Sequence, residues 1–266
     1  MPITIGVSMP PQRGDMPQLR NAWQEADELG ADRIYTFDHF FTLVMNKPNP
    51  TFEETNGKSF EATSIQAAMA VTTKHAEISC LVHCTGYRNP NLLADISRTI
   101  DHLSGGRFVL GIGSGWFKLD YDEYGYEFGT VGGRLKKLEQ DIETIKDRWT
   151  KLNPPPLRRI PILIGGGGEK VTLRIAAKHA DAWHSFGDVE TMTRKSQILD
   201  EWCAKIGRDP KEIVRSTSVG PLIGGVKADP EPYVKAGFTD FVVHARGPDW
   251  DLGALREILA WRKARG

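Results

Sequence analysis

Short apolar, β-branched runs alternate along the chain with longer stretches in which apolar residues recur every three or four positions. The short runs read as strands and the longer ones as amphipathic helices. The strand runs fall at residues 3–8, 33–37, 77–84, 107–113, 160–165, 181–186, 214–219 and 240–245. Between the first two, Leu19, Ala22, Trp23, Ala26 and Leu29 give residues 18–29 a single apolar face. Gly30 then stands where helices commonly end. Further helical patterns cover 132–149 and 252–262. Strands that alternate with helices imply parallel βαβ units, and eight units without a reversal favour a closed barrel over an open sheet. The predicted fold is therefore α/β, a (β/α)8 TIM barrel, with residues 1–266 as one domain of ordinary size for that architecture. Asn153-Pro-Pro-Pro156 reads as a stiff connector, not a boundary between domains.

Two connections are longer than a barrel requires, residues 40–60 and 116–131. Both leave the carboxyl end of a strand, the end at which barrel enzymes build their sites, so both are read as pocket walls. Charge narrows the function further. Lys plus Arg and Asp plus Glu each number 34, and this balance excludes a sequence-independent nucleic-acid binder. The first residues lack the basic and long apolar regions of a signal peptide, and no run approaches the ~18 apolar residues of a membrane helix. A soluble, cytoplasmic protein without membrane contact is expected. The three cysteines, Cys80, Cys84 and Cys203, make no disulfide framework. Cys80 and Cys84 flank His83 without the second ligand pair of a structural metal site, so no metal is expected there.

The chemistry-bearing residues sit at strand ends. Gly111-Ile-Gly113-Ser114-Gly115-Trp116 follows the fourth strand and fails the dinucleotide fingerprint because Trp116 occupies its last glycine position. It still leaves a strand end bare of side chains, open either to a tight turn or to a flat ligand. Gly165, Gly166, Gly167 and Gly168 precede a helix, where amide groups and the helix dipole favour an anion such as phosphate. Asp38 and His39 end the second strand. His39 is a candidate proton donor or acceptor near neutral pH, and Asp38 a candidate to orient the loop or a cofactor edge. His83, His184 and His244 fall near the ends of strands three, six and eight and read as core or rim histidines within reach of the pocket. Asp120, Asp122 and Glu123 lie in a polar loop and read as a solvated face.

Several blocks occur together in the order Phe37-Asp-His-Phe40, Tyr87-Arg-Asn-Pro90, Leu103-Ser-Gly-Gly-Arg-Phe-Val-Leu-Gly-Ile-Gly-Ser-Gly-Trp116, Pro161-Ile-Leu-Ile-Gly-Gly-Gly-Gly-Glu-Lys170 and Ala180-Asp-Ala-Trp183. In this the chain resembles the bacterial-luciferase-like superfamily over nearly its whole length, and within it the coenzyme F420-dependent oxidoreductases. The resemblance implies a deazaflavin near strands two to four with its phosphate on the glycine run. Cys80, Leu81, Gly113 and Ser114 would form the shelf for its ring. The resemblance also implies a non-proline cis peptide at Cys80-Leu81, a reduced insertion near strand seven, a small-molecule substrate and a homodimer. Hydride transfer to or from F420 is the activity it favours. An FMN-dependent monooxygenase and a non-catalytic flavin-binding barrel stand as alternatives.

Overall fold

The computed structural model describes residues 2–44, 47, 50–220 and 229–265. Among them, nine strands form one parallel sheet: β1 (Thr4–Ser8), β2 (Arg33–Thr36), β3 (Glu77–Cys80), β4 (His83–Cys84), β5 (Leu110–Gly113), β6 (Ile162–Gly165), β7 (Ala182–Ser185), β8 (Val214–Ser218) and β9 (Asp240–His244). Their order is β3-β2-β1-β9-β8-β7-β6-β5-β4. Since β3 and β4 are two halves of one interrupted strand, the two ends of that order meet and the sheet closes into a (β/α)8 barrel. Ile78 stitches the seam: its amide donates to the Arg107 carbonyl and its carbonyl accepts from the Val109 amide, each at 2.9 Å.

The helices that wrap the barrel are α1 (Met16–Glu28), α2 (Ala62–Thr72), α3 (Pro90–Leu103), α4 (Lys118–Glu123), α5 (Val131–Trp149), α6 (Thr172–His179), α7 (Val189–Lys205), α8 (Glu231–Lys235) and α9 (Gly253–Arg265). Strand alternation decides which residue meets them. Ile162 and Ile164 of β6, and Phe241 and Val243 of β9, join the large core shared with the helices. Leu163 and Val242, one position along, pack with Tyr35, Val109 and Ala182 inside the barrel. Below that layer, at the amino ends of the strands, Arg33 donates to Glu77, to the Tyr35 hydroxyl and to Asp240. This plug fills the bottom of the barrel and leaves the carboxyl ends as the open face. No helix among the described residues is long and apolar enough to cross a membrane.

Two expectations need correction. The run 77–84 is not one strand, because it is interrupted between Cys80 and His83. The cis peptide is at Leu81-Val82, one residue beyond the expected Cys80-Leu81. The reason lies in the ladder. Cys80 still pairs with Thr36, and the Leu81 amide still donates to the Thr36 carbonyl at 2.8 Å, so regular pairing with β2 continues through Leu81.

Candidate active site

A cavity of about 1070 Å3 opens at the carboxyl ends of the strands. Phe37, Asp38 and His39 after β2, Leu81 and Val82 from the interruption, and Ser114 after β5 form one side of its lining. His184 of β7, Ser218 of β8 and His244 of β9 form the other.

His39 is held by a residue the sequence placed in solvent. α4 is a single short helix inside the 116–131 connection, and it turns Asp120 inward while Asp122 and Glu123 stay exposed. The expectation of a solvated face therefore holds for those two and fails for Asp120, which is fully buried. Its Oδ2 accepts from His39 Nδ1 at 2.7 Å and from the Tyr87 hydroxyl at 2.9 Å. Its Oδ1 accepts from the amides of Phe40 at 3.0 Å and Phe41 at 3.3 Å. A carboxylate offers about four acceptor sites, and all are taken by donors. Nδ1 of His39 therefore carries a proton and donates it, which leaves Nε2 to meet a ligand. Phe37, Trp116 and Phe117 edge onto the imidazole at 5.2, 5.5 and 5.4 Å between ring centres and fix its plane.

The block Tyr87-Arg88-Asn89-Pro90 divides into one task per residue. Tyr87 donates to Asp120; burial, the Cys84 thiol and the Asp120 carboxylate push its phenol far above the usual range, so it stays a donor. Arg88 grips Asp38 with two bonds, Nη1 to Oδ2 at 2.6 Å and Nη2 to Oδ1 at 2.9 Å, and also donates to Glu61. Asn89 caps α3 through the Asn91 amide at 2.9 Å, and Pro90 begins that helix. Asp38 also accepts from the Cys84 amide at 3.0 Å. Burial works to raise the Asp38 carboxyl, but bonding and charge from His83 and Arg88 outweigh it and hold the group well below the carboxylate range. Asp38 lines the cavity with both oxygens engaged, and it fastens β2 to β4.

The two long connections pack on each other as expected of pocket walls. Phe40 stacks on Tyr124 with ring centres 4.0 Å apart, and Leu43, Val44 and Trp116 face the cavity. Residues 45, 46, 48 and 49 of the first connection, and 221–228 where a reduced insertion was expected, lie outside the described residues.

Of the expected ring shelf, Leu81, Gly113 and Ser114 line the cavity. Cys80 does not. It points away, fully buried, and Val82 takes its place. The glycines have a further task that spacing did not suggest: a Cβ on Gly113 or Gly165 would fall 2.7 Å from a Val82 methyl. They make room for the inward step of the interrupted strand.

The glycine run divides the cavity from a second groove. Gly165, Gly166 and Gly167 line the large cavity, while Gly167 and Gly168 line an outer groove of about 540 Å3. Gly166 takes the left-handed backbone, with φ +130°. α6 starts at Thr172, so Glu169, Lys170 and Val171 separate its first turn from the run. Lys195 of α7 reaches into this gap. It lines both spaces, is half-buried, and a Cβ on Gly167 would fall 2.4 Å from its Nζ and 2.8 Å from Ser185 Oγ. It has no hydrogen-bond or ion-pair partner among the described residues. Sequence reading missed Lys195, which sits mid-helix with nothing local to mark it.

His184 and His244 are pocket residues, joined through Ser218: His184 Nε2 lies 3.3 Å and His244 Nε2 3.0 Å from Ser218 Oγ. Burial lowers both to about 3, helped by Arg33 for His184 and by His184 and Arg246 for His244. Both are therefore neutral near pH 7. His83 is buried beside Asp38 and bonds Gln66 at 2.9 Å.

A parallel (β/α)8 barrel with its binding cavity at the carboxyl mouth is the class that fold and site define. The chain belongs to the luciferase-like monooxygenase family, whose sequence model matches residues 2–231. An uncharacterised protein of Mycobacterium tuberculosis is 29% identical over 231 residues, covering 80% of this chain and 77% of its own. An F420-dependent glucose-6-phosphate dehydrogenase of Amycolatopsis mediterranei is 26% identical over 175 residues, covering 59% of this chain and 50% of its own. Among solved structures, an F420-dependent secondary alcohol dehydrogenase bound to an F420-acetone adduct superposes with a TM-score of 0.81 at 17% identity, covering 97% and 98% of the two chains. A type II Baeyer-Villiger monooxygenase of Pseudomonas putida in complex with FMN shares the fold as well, with a TM-score of 0.62 at 17% identity, covering 82% and 67% of the two chains.

Proposed function

We propose that this chain is an oxidoreductase that holds coenzyme F420 and serves hydride exchange between it and a small organic substrate. The observation that carries this reading is His39, oriented by a saturated buried carboxylate and presenting Nε2 to a cavity that ends at the glycine run. The residues present fit the cofactor. An anion is called for where half-buried Lys195 stands against Gly167 with no counter-charge among the described residues, and a phosphate answers it. Leu81, Val82, Gly113 and Ser114 offer a flat wall for a ring, and Asp38 keeps that wall fastened to β2. The deazaflavin, when bound, supplies the hydride chemistry. The protein's part is to orient, to exclude water, and to hold a proton on His39 Nε2 or take one there. Asp120 stabilises the imidazolium that taking a proton creates. Similarity to F420-dependent relatives favours this cofactor over FMN, while the family description keeps an FMN-dependent monooxygenase as the second reading.

Turnover tests the proposal. The protein mixed with oxidised F420 and a panel of secondary alcohols, or with reduced F420 and the matching ketones, should change the deazaflavin absorbance at a rate proportional to enzyme. His39→Ala should slow that rate by about 10²–10⁴ with the fold intact, the usual contribution of general acid–base catalysis. Oxygen-dependent turnover with reduced FMN, and none with F420, would establish the second reading instead. Tight cofactor binding that is indifferent to loss of His39, with no turnover, would point to the non-catalytic flavin-binding barrel.

A further inference from the structure

Inside the barrel, Leu163 of β6, Ala182 of β7 and Val242 of β9 pack in one apolar layer. Side chains on one face of a strand recur every second residue. The next inward positions toward the mouth are therefore Gly165, His184 and His244, and all three line the large cavity. On β8, Val214 packs on the same layer, and Ser216 and Ser218 follow it at the same period. The floor of the cavity thus has two unlike halves. Along β5 and β6 it is glycine, Gly113 and Gly165. Along β7, β8 and β9, which are consecutive neighbours in the sheet, it is histidine and serine.

The polar half is one hydrogen-bonded chain. Ser216 Oγ lies 2.8 Å from His184 Nδ1, His184 Nε2 lies 3.3 Å from Ser218 Oγ, and Ser218 Oγ lies 3.0 Å from His244 Nε2. Ser216, His184 and Ser218 are buried, whereas His244 is half-buried, so the chain has a sealed end and an open end. At the open end, His244 Nδ1 has no hydrogen-bond partner among the described residues. Both imidazoles are neutral near pH 7, so each ring carries one proton, as each hydroxyl does. When the donors run from Ser216 through His184 and Ser218, His244 accepts at Nε2 and its one proton stands on Nδ1. A ligand oxygen that accepts at Nδ1 selects this direction.

His39 is close by in the barrel, because β1 alone separates β9 from β2. The two rings are backed differently. Asp120 behind His39 stabilises a positive charge, which suits a ring that takes and gives a proton. Ser218 behind His244 offers no charge, which suits a ring that donates a hydrogen bond and stays neutral.

We propose that His244 Nδ1 donates to the reacting oxygen of the substrate, the carbonyl of a ketone or aldehyde or the hydroxyl of the matching alcohol, while His39 exchanges that oxygen's proton. This deepens the oxidoreductase reading and rests on the same cavity being the active site. In the reducing direction the carbonyl carbon gains the hydride, the π pair of the C=O bond passes to oxygen, and His39 Nε2 supplies the proton. Reduced deazaflavin is the reductant. The oxygen accepts from Nδ1 as carbonyl and as hydroxyl alike, and most strongly while charge gathers on it.

Headspace gas chromatography over the protein solution tests this with two volatile ligands of one shape, 2-pentanone and 2-methyl-1-pentene, in which a methylene replaces the oxygen. The wild type should hold the ketone about fivefold more tightly, the worth of one net hydrogen bond. His244→Leu should abolish that preference. Asn sets an amide where Nδ1 stands, and Gln sets one where Nε2 stands. His244→Asn should therefore keep most of the preference and His244→Gln should lose it, with both variants folded by circular dichroism. Equal binding of the two ligands by the wild type, or a preference that survives in His244→Leu, would overturn the proposal. So would a preference kept by His244→Gln and lost by His244→Asn, which would make the bond to Ser218 the operative one and His244 a structural residue. The measurement needs no cofactor, so failure of F420 to bind would count against the oxidoreductase reading alone.

Discussion

His39 and Asp120 stand 81 positions apart in sequence and meet at 2.7 Å. That bond decides which nitrogen faces the cavity, because a carboxylate with every acceptor site filled admits only a donor from the imidazole. Asp120→Asn keeps the volume and removes the demand. An amide has one accepting oxygen and two donor hydrogens, so at least one of the four donors now converging on the carboxylate is left without a partner. A buried unsatisfied group costs about 1–3 kcal/mol, and the ring loses its fixed tautomer. The expected outcome is a lowered urea midpoint together with a fall in turnover comparable to that of His39→Ala, and little change in cofactor affinity. A folded Asp120→Asn protein with wild-type turnover would show that the tautomer is set elsewhere.

At the scale of elements, the glycine run works with a helix remote from it in sequence. The proposed anion site is the connection after β6 together with Lys195 from α7. Gly167→Asp would place a carboxylate against that lysine and cancel the charge meant for a phosphate. Positive φ belongs to Gly166 and not to Gly167, so charge and space, not backbone conformation, carry the effect. Gly167→Asp and Lys195→Gln should each weaken cofactor binding about tenfold or more, equivalent to ~1.4 kcal/mol, with unchanged far-ultraviolet circular dichroism. Unaltered affinity in both would remove the run from the site. The sequence disclosed those parts of this arrangement that local pattern marks: strands by period two, Asp38 and His39 by their place at a strand end, the loop after β6 by its glycines. It hid what depends on distant partners. Asp120 lies in a helix of six residues, too short to show a period, and its inward turn is set by the Tyr87 hydroxyl, the His39 ring and the amides of Phe40 and Phe41. Lys195 lies mid-helix among other polar residues. The interruption at Leu81-Val82 has no local sign, because the run 77–84 holds no glycine or proline and reads as one strand.

For the molecule as a whole, the polar interior of the barrel makes stability depend on pH. Burial holds His184 and His244 neutral down to about pH 3, whereas in the unfolded chain histidine takes a proton near pH 6.5. Between those limits the unfolded state binds more protons, so stability rises with pH and is lost as pH falls from 6.5 toward 3. Each histidine can add up to ~1.4 kcal/mol per pH unit to that slope. His184→Gln should flatten the fall in urea midpoint between pH 6.5 and about 4.5, and an unchanged slope would mean that the carboxylates dominate acid loss. The same closed barrel opens its large cavity at the carboxyl ends of the strands, and the proposed function is that this cavity holds a deazaflavin. Fluorescence titration of the protein with F420, and separately with FMN, tests that most directly. Saturable binding of F420 at micromolar or tighter affinity, with FMN weaker, is the predicted result. Tighter binding of FMN, or a protein that purifies yellow with FMN in place, would contradict it.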